Sequence, residues 1–259
     1  MPQPLILVTN DDGVAAPGLC TLVEVARAFG EVVVVAPDSP QSGQGHAITM
    51  NDPLRIHPVD LFDDIEAYEC SGTPVDCVKL AKHVVLKGRT IDLCVSGINH
   101  GSNAGVNVIY SGTMSAAMEA SLEGIPSIGF SLLDFTWNAD MSVAKPTVRG
   151  LIARALDAGL GEATLLNVNI PKASEAPLRG IKVCRQADAR WVEEFQRGTD
   201  PQGRDYYWLT GSFVPGDIGP GTDQHALDNN YVSVVPCAHD LTDHGALASL
   251  AAVEDIPAA

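Results

Sequence analysis

Several polar segments of this sequence combine carboxylate, hydroxyl and amide side chains with glycine. Two adjacent aspartates, Asp11 and Asp12, lie in an Asn-Asp-Asp-Gly segment, while Ser42 and Asn99 lie in two later glycine-containing segments. Adjacent carboxylates repel each other, and the usual relief is a hard cation such as Mg²⁺ or Mn²⁺ held by oxygen ligands. Serine and asparagine add neutral oxygens, and such a mixed site leaves positions open for water. The alternative for the aspartates is a turn that only caps the next helix.

Two further segments have the composition of anion-binding sites. The stretch from Gly97 to Gly105 contains several glycines and asparagines, so its backbone amides can face inward and surround an anion. Ser111-Gly112-Thr113 precedes a predicted helix and can present hydroxyls and amides at the helix start. Both segments suit a phosphate group, although an ordinary helix N-cap is the alternative role for Ser111.

Other catalytic classes lack their signatures. The chain contains neither GxxxxGK[ST] nor GxGxxG, so ATP-driven phosphotransfer and NAD chemistry have no support. It contains no GxSxG elbow, and Ser42 has no identifiable triad, which disfavours covalent serine catalysis. Cysteine nucleophile chemistry is equally unsupported. His46 and His100 lie in the candidate loops, and their role stays open.

The elements that must position these residues follow from hydrophobic periodicity. Continuous apolar runs predict strands covered on both faces, and 3.6-residue periods predict helices between them. The predicted strands are 5–8, 32–35, 91–95, 128–130 and 164–170; the predicted helices are 19–29 closed by Gly30, one beginning after Thr73-Pro74, 114–123 and 144–160. This alternation predicts a doubly wound, mainly parallel α/β sheet. Because ligands bind beyond the carboxyl ends of such strands, the polar segments should converge on one rim.

The chain beyond about residue 171 has a different pattern. Glycine and proline are frequent from 198 to 221 and interrupt aromatic segments such as Tyr206-Tyr207-Trp208, which predicts hairpins. A hairpin with exposed aromatic residues cannot bury itself, so we expect it to form a dimer contact. We therefore expect a single domain over residues 1–259, with a core at about 1–171 and C-terminal oligomerisation elements at about 172–259.

Charge and composition exclude several functional classes. Lys and Arg total 16 against 32 Asp and Glu, and the formal net charge of -16 disfavours general nucleic-acid binding. The same acidity favours a bound divalent cation if the ligand is a small anion. No segment approaches the roughly 20 apolar residues of a membrane span, and six cysteines without CxxC pairs are typical of a reduced protein. We expect a cytoplasmic protein without membrane association.

The assembled motifs resemble the SurE family. They are ILVTNDDGVAAPGL at 6–19, VVAPDSPQSG at 34–43 and VSGINHGSNAGVNVIYSGTMSAAMEA at 95–120, and the similarity extends through Ser71 to Cys77, Asp205 to Gly211, Thr222-Asp223 and Tyr231 to Val234. Met114 departs from the smaller residue usual in the family, and the tail after His244 is short and rich in alanine. These departures affect the expected geometry of the tetramer more than the expected catalytic chemistry.

The resemblance implies a fold, a cofactor and an activity. The fold would be a Rossmann-like, three-layer α/β/α core with a C-terminal hairpin and helix extension, exchanged between subunits of a homodimer or homotetramer. One divalent metal ion per subunit, Mg²⁺ or Mn²⁺, would be held by Asp11, Asp12, Ser42 and Asn99. The activity would be dephosphorylation of nucleoside 5'- and 3'-monophosphates, with some action on other phosphomonoesters and short polyphosphate.

The mechanistic hypothesis is attack of a metal-activated water in line with the leaving group. Asp11 would orient or deprotonate that water, Asp12 and Asn99 would complete the catalytic metal site, and the phosphate oxygens would be held by Asn103, Ser111, Gly112 and Thr113. One alternative is a non-catalytic module that senses nucleotides at the same rim. A second, a metal-dependent phosphodiesterase or nuclease, conflicts with the acidic charge and the single apparent metal site.

Overall fold

The computed structural model describes residues 3–172 and 176–256, which form one large sheet, the helices on its two faces and a separate hairpin. The strands are β1 (Leu5–Thr9), β2 (Glu31–Pro37), β3 (Ile56–Pro58), β4 (Glu66–Cys70), β5 (Leu93–His100), β6 (Ser127–Leu132), β7 (Leu165–Ile170), β8 (Ile181–Val183), β9 (Asp188–Thr199), β10 (Asp205–Asp217) and β11 (Val232–Cys237). The α-helices are α1 (Pro17–Ala26), α2 (Pro74–Leu80), α3 (Asn107–Tyr110), α4 (Gly112–Leu122), α5 (Lys145–Ala158) and α6 (Asp223–Asp228). A π-helical turn (Ala81–Val85) and two 3₁₀ segments (Met141–Ala144 and Leu247–Asp255) complete the described elements.

The nine-stranded sheet has the order β3-β4-β2-β1-β5-β6-β7-β11-β8. The six strands from β4 to β7 in this order are parallel, whereas β3 and β11 run antiparallel to their neighbours β4 and β7. The chain passes from β1 to β2 on one side and later to β5 on the other, so the strand order reverses at β1. That position is where a doubly wound sheet binds its ligand. The predicted α/β fold with a mainly parallel sheet is confirmed.

Two apolar layers cover the sheet because its strands are buried on both faces. In β1, Ile6 and Val8 pack on one side with α1 and α5, while Leu5 and Leu7 pack on the other with α2 and α4. Successive strand residues point to opposite faces, so an uninterrupted apolar run is required at a central strand. The three-layer arrangement follows directly from this pattern.

Helix α2 begins as its sequence predicts. Thr73 and Asp76 form a reciprocal capping box, and Pro74 occupies the first turn. Each of these contacts satisfies a backbone donor that the first helical turn would otherwise leave unpaired. The adjoining side chain of Thr49 also donates to Asp76, at 2.6 Å, which ties the preceding loop to this helix start.

Two local predictions are wrong. Helix α1 ends at Ala26, so Gly30 does not close it. Glycine is required at position 30 because the backbone there approaches Pro4 closely, and a Cβ would lie 2.2 Å from the Pro4 carbonyl oxygen. The segment 96–100, predicted as a loop, continues β5, because Gly97 has φ +124° and a register shift lets Asn99 pair with Ser131. The helix predicted at 144–160 is confirmed as α5 (Lys145–Ala158), which follows the 3₁₀ segment and ends before Gly159 at φ +69°.

The two-stranded hairpin of β9 and β10 lies outside the main sheet, as predicted for the C-terminal region. Its exposed side chains include Phe195, Tyr207 and Trp208.

All six cysteines are free thiols, although Cys20 is exposed and does not belong to the core. No helix in residues 3–172 or 176–256 is long and apolar enough to cross a membrane.

Candidate active site

The turn that follows β1 places the two aspartates at the rim of the sheet. The side chain of Asn10 donates to the carbonyl oxygen of Gly13 at 2.9 Å and accepts from its amide at 3.3 Å. The chain then enters α1, whose N-cap is Ala16 without a side-chain hydrogen bond. The segment is therefore a turn, but its aspartates do not cap the helix, and the alternative interpretation is wrong. The turn is also located at the switch point between β1 and β5, where the backbone of Asp11 accepts a hydrogen bond from the amide of Gln41 at 2.8 Å.

Asp11 is almost completely enclosed, with 3% of its surface exposed. Burial, and then the negative charge of Asp12, raise its pKa from 3.8 to about 6, and hydrogen bonds from the hydroxyl and amide of Thr113 oppose that rise. The start of α4 packs so closely that a Cβ at Gly112 would lie 2.6 Å from Cβ of Asp11. Glycine is therefore required at that position for the helix to approach the carboxylate.

Asp12 contributes a carboxylate oxygen with an unsatisfied hydrogen-bonding capacity. Burial raises the pKa of Asp12, while the charge and backbone amide of His100 lower it to a smaller extent. Its Oδ2 is buried and has no hydrogen-bond partner among the described residues. A buried acceptor of this kind is costly unless something pairs with it. A cation beside both carboxylates would satisfy it.

A pocket of about 370 Å³ opens at this rim. Five of the eight predicted site residues line it: Asp11, Ser42, Asn99, Asn103 and Ser111. The other three, Asp12, Gly112 and Thr113, lie beside Asp11 without lining the pocket. The remaining lining residues are Gly43, His100, Ser102, Asn107, Tyr110, Phe135 and Trp191.

Asn99 reaches the pocket from the end of β5, and Ser42 reaches it from the loop after β2. The side-chain amide of Asn99 donates to the carbonyl oxygen of Gly101 at 3.1 Å, so its side-chain oxygen stays available as a ligand. Ser42 is exposed in the loop after β2. Within the described residues no group of three or more His, Cys, Asp or Glu side chains could hold a metal ion. A cation here would therefore need the neutral oxygens of Ser42 and Asn99 with the two carboxylates, which fits the hard-ion donor set predicted from the sequence.

Asn103 is held in place by a buried polar network. Its side-chain amide donates to Ser131 Oγ at 2.8 Å, and its backbone amide donates to the side chain of Asn169, also at 2.8 Å. Asn167 in turn donates to the carbonyl oxygen of Asn103 at 2.8 Å. These contacts come from β6 and β7, so the far strands of the parallel sheet fix the wall of the pocket.

Ser111 caps α4 and also lines the pocket. Its hydroxyl accepts a hydrogen bond from the amide of Met114 at 3.0 Å, so the N-cap interpretation is confirmed. The hydroxyl hydrogen remains available to an anion at the helix start. Thr113 is completely buried and both its donors face Asp11, so its direct effect is on that carboxylate.

The two histidines of the candidate loops have different surroundings. His100 lines the pocket, stacks on Trp137 with ring centroids 5.6 Å apart, and binds the carbonyl oxygen of Thr136 through Nδ1 at 2.9 Å. Since a carbonyl only accepts, Nδ1 carries the hydrogen, and the buried Nε2 has no partner in the described part of the chain. His46 instead contacts the buried carboxylate of Glu119 at 2.9 Å, away from the pocket lining.

Sequence reasoning missed three residues of the pocket wall, namely Asn107, Phe135 and Trp191. Trp191 belongs to β9, and its indole N–H donates to Oδ1 of Asn107 at 2.7 Å, across 84 positions of the chain. Only the aromatic character of this distal segment signalled a contact, and it gave no indication of the partner.

Comparisons with known proteins agree with this geometry. The family model described as Survival protein SurE matches residues 6–193. A relative from Cytophaga hutchinsonii, described as 5'-nucleotidase SurE, is 60% identical over 250 residues, which are 96% of each chain. A second, from Flavobacterium psychrophilum and with the same description, is 57% identical over 96% of this chain and 97% of its own.

A solved structure extends the similarity to the whole fold. The crystal structure of the SurE protein from Aquifex aeolicus matches with a TM-score of 0.83 and 39% identity, covering 97% of this chain and 100% of that chain. The doubly wound sheet, the paired aspartates at its switch point and these matches have one explanation: the chain belongs to the SurE family.

Proposed function

We propose that this protein is a metal-dependent phosphomonoesterase that hydrolyses nucleoside 5'- and 3'-monophosphates to nucleoside and phosphate. The relatives described as 5'-nucleotidase SurE support the reaction class. The observation that carries the metal dependence is the buried, unpartnered Oδ2 of Asp12 beside a second buried carboxylate. In a pocket that must accept a phosphate, such a pair is compatible with an anionic substrate only when a positive charge lies between them.

The residues that would hold the ion are Asp11, Asp12, Ser42 and Asn99, one ion per subunit. A bound Mg²⁺ or Mn²⁺ would neutralise the carboxylates, polarise a phosphoryl oxygen and lower the pKa of water. Asp11 would accept or orient the proton of the attacking water. Thr113 supports this role, because its hydrogen bonds to Asp11 favour the ionised carboxylate that accepts a proton.

The phosphate oxygens would be bound by two neutral residues that line the same pocket. Asn103 presents an amide that the polar network holds in place, and Ser111 presents its hydroxyl at the start of α4. Gly112 was predicted to assist, and its backbone amide lies at a helix start whose partial positive charge favours an anion. Thr113 was also predicted to hold the phosphate, but both its donors face Asp11, so it would act only through that carboxylate. Donors held rigidly before the reaction stabilise developing negative charge without reorganisation.

His100 is placed to serve the leaving group. Its Nδ1 is committed to the carbonyl oxygen of Thr136, which orients the ring and leaves Nε2 as the exchangeable position. With Nδ1 keeping its hydrogen, we assign to the ring protonated on both nitrogens the donation of the Nε2 proton to the departing nucleoside oxygen, which leaves the neutral imidazole.

The decisive experiment measures phosphate release after EDTA treatment, with and without added Mg²⁺ or Mn²⁺. The substrates are 5'-AMP, 3'-AMP, p-nitrophenyl phosphate and tripolyphosphate, the last as a test of the activity on short polyphosphate that the resemblance implies. Asp12→Asn should lose metal-restored turnover by at least about 100-fold, whereas Asp38→Asn, an exposed carboxylate after β2, should keep it. Full activity in Asp12→Asn would overturn the ligand assignment. No release under any condition, with nucleotide binding intact, would favour the nucleotide-sensing module.

We further propose a homodimer or homotetramer in which the C-terminal elements are exchanged. Exposed apolar side chains on the hairpin, including Phe195 and Trp208, and on the C-terminal 3₁₀ segment, including Leu250 and Val253, support this assembly. Light scattering coupled to size-exclusion chromatography tests it, and a monomer at micromolar concentration would contradict it.

A further inference from the structure

The loop after β2, residues 38–55, carries Ser42 to the site pocket but contains no helix or strand of its own. Within the described part of the chain, residues 42–44 take part in no hydrogen bond. Their position therefore depends on the residues that flank them. On the side before Ser42, the amide of Gln41 donates to the carbonyl oxygen of Asp11 at 2.8 Å.

Two contacts hold the loop on the side after Ser42. Gly45 has φ +56°, and its amide donates to the carbonyl oxygen of Tyr110 at 3.2 Å. A Cβ at this glycine would lie 3.1 Å from the carbonyl oxygen of Ile109, so the backbone passes close to α3. The next residue, His46, reaches α4, where its Nε2 lies 2.9 Å from Oε2 of Glu119.

Glu119 offers this histidine a fixed acceptor. Its side chain is 5% exposed, and one carboxylate oxygen faces Lys79 of α2 while the other faces His46. A buried carboxylate requires donors, and since an ionised carboxylate only accepts, Nε2 of His46 carries the hydrogen. Among residues 3–172 and 176–256, this is the only side-chain hydrogen bond between the loop after β2 and α4.

Helix α4 connects this contact to the predicted cation site. Its first residue, Gly112, packs against Asp11, and Glu119 lies about two turns later on the same helix. The helix therefore fixes the loop that carries Ser42 relative to Asp11. Ligands that come from separate segments stay within reach of one ion only when the residues behind them hold them in place.

We propose that His46 is a positioning residue: its bond to Glu119 holds the loop after β2 against α4 and keeps Ser42 at the pocket. The inference rests on the proposed function for the ligand, a divalent cation shared by Ser42 and the two aspartates. His46 does not line the pocket, so it acts through the loop and not on the substrate. Loss of the contact should weaken cation binding and spare the chemical step at saturating metal.

The first measurement is the Kd of the protein for Mn²⁺, from the electron paramagnetic resonance signal of the free ion. His46→Ala should raise Kd about 10-fold, and kcat for p-nitrophenyl phosphate at saturating Mn²⁺ should stay within about threefold of the wild-type value. His46→Gln keeps a donor for Glu119 and should raise Kd less.

Lys79→Met is the matched control, because it removes the other partner of Glu119 and leaves the loop contact in place. Its Kd for Mn²⁺ should stay within about twofold of the wild-type value. A wild-type Kd in His46→Ala would overturn the proposal. An equal rise of Kd in Lys79→Met would overturn it too, because the effect would then come from Glu119 and not from the loop.

Hydrogen exchange of the metal-free protein separates this inference from the proposed function. The amide of Gly45, bonded to Tyr110, reports on the loop without metal or substrate. It should exchange at least about fivefold faster in His46→Ala than in the wild type, with the amides of α2 unchanged. If the wild type binds no Mn²⁺ but Gly45 shows this increase, the metal assignment fails and the anchoring role of His46 stands. If Mn²⁺ binds but Gly45 exchanges equally fast in both proteins, the metal site stands and the anchoring role is wrong.

Discussion

The hydroxyl of Thr113 donates a hydrogen bond to Oδ1 of Asp11 across 102 positions of the chain. This contact joins the start of α4 to the end of β1, and it lowers the pKa of a carboxyl that burial and Asp12 raise. The balance leaves Asp11 with a pKa of about 6, which suits a group that must be ionised near neutral pH.

Removal of that donor should change the pH dependence of turnover. Thr113→Val keeps the side-chain shape, and loss of the hydrogen bond raises the pKa of Asp11 further. Since a proton on Asp11 competes with the cation, the acidic limb of turnover measured at limiting Mn²⁺ should move to higher pH, by about half a unit to one unit. Thr21→Val, which removes a hydroxyl bonded at 3.0 Å to Pro17 on α1, is the matched control. Superimposable profiles for Thr113→Val and wild type would refute the role of this contact.

Neutralisation of Asp11 should stabilise the metal-free protein at neutral pH. The pKa of Asp11 is raised from 3.8 to about 6 in the folded state, so its favourable contribution is present below pH 3.8 and lost as the pH rises through about 6. In EDTA, the free energy of unfolding of the wild type should therefore fall by up to about 3 kcal/mol as the pH rises through this window. The Asp11→Asn variant should not show this fall. Urea unfolding between about pH 4 and 8 measures this difference, with Asp38→Asn as control. A constant difference across the whole range would contradict the prediction.

Divalent metal should stabilise the protein in a pH-dependent manner. Mn²⁺ at about 100 times its Kd should add about 2.7 kcal/mol to the free energy of unfolding by mass action. This gain should shrink as the pH falls through about 6, because a proton then competes for Asp11. Thermal unfolding with and without Mn²⁺ provides the measurement, and Asp12→Asn should show no gain at any pH. An equal gain in Asp12→Asn would place the ion elsewhere.

Loss of His100 should depend on the leaving group. His100→Ala should reduce kcat for 5'-AMP by about 10- to 100-fold and reduce that for p-nitrophenyl phosphate less, since nitrophenolate needs no proton to depart. His83→Ala is the control, because His83 forms an exposed pair with Glu123 at 2.9 Å. Equal losses on both substrates would assign His100 to positioning of Asp12 instead.

The buried carboxylate of Glu119 should matter more to stability than its exposed neighbour. Glu119 is 5% exposed and contacts both His46 and Lys79. Glu119→Ala removes both hydrogen bonds from the buried side, while solvent reaches the remaining partners, which are 33% and 41% exposed, and should cost about 1 to 3 kcal/mol. Glu123→Ala, which breaks the pair with His83 at the surface, should cost less than about 1 kcal/mol. Chemical denaturation compares the two, and equal costs would show that burial does not distinguish these pairs.

The elements that could be predicted are those whose pattern is local. Strand β1 and strand β2 are uninterrupted apolar runs because both faces are buried, and the start of α2 carries its own capping residues. The edge strand β3 and its neighbour β4 were not predicted, because both contain exposed and half-buried residues and so lack a continuous apolar signal. The extension of β5 past Gly97 depends on pairing with β6, which no local pattern contains.

The sequence by itself determined the chemical character of this protein: adjacent carboxylates after a buried strand, neutral oxygens after neighbouring strands, and a serine at a helix start. Parallel strands bring their carboxyl ends to one edge, so residue type and strand position suffice for that inference. Only the tertiary structure decided that Thr113 serves Asp11 and that Trp191 of the hairpin reaches Asn107. These contacts join residues far apart in the chain, and packing of whole elements selects them, so no neighbouring residue encodes them.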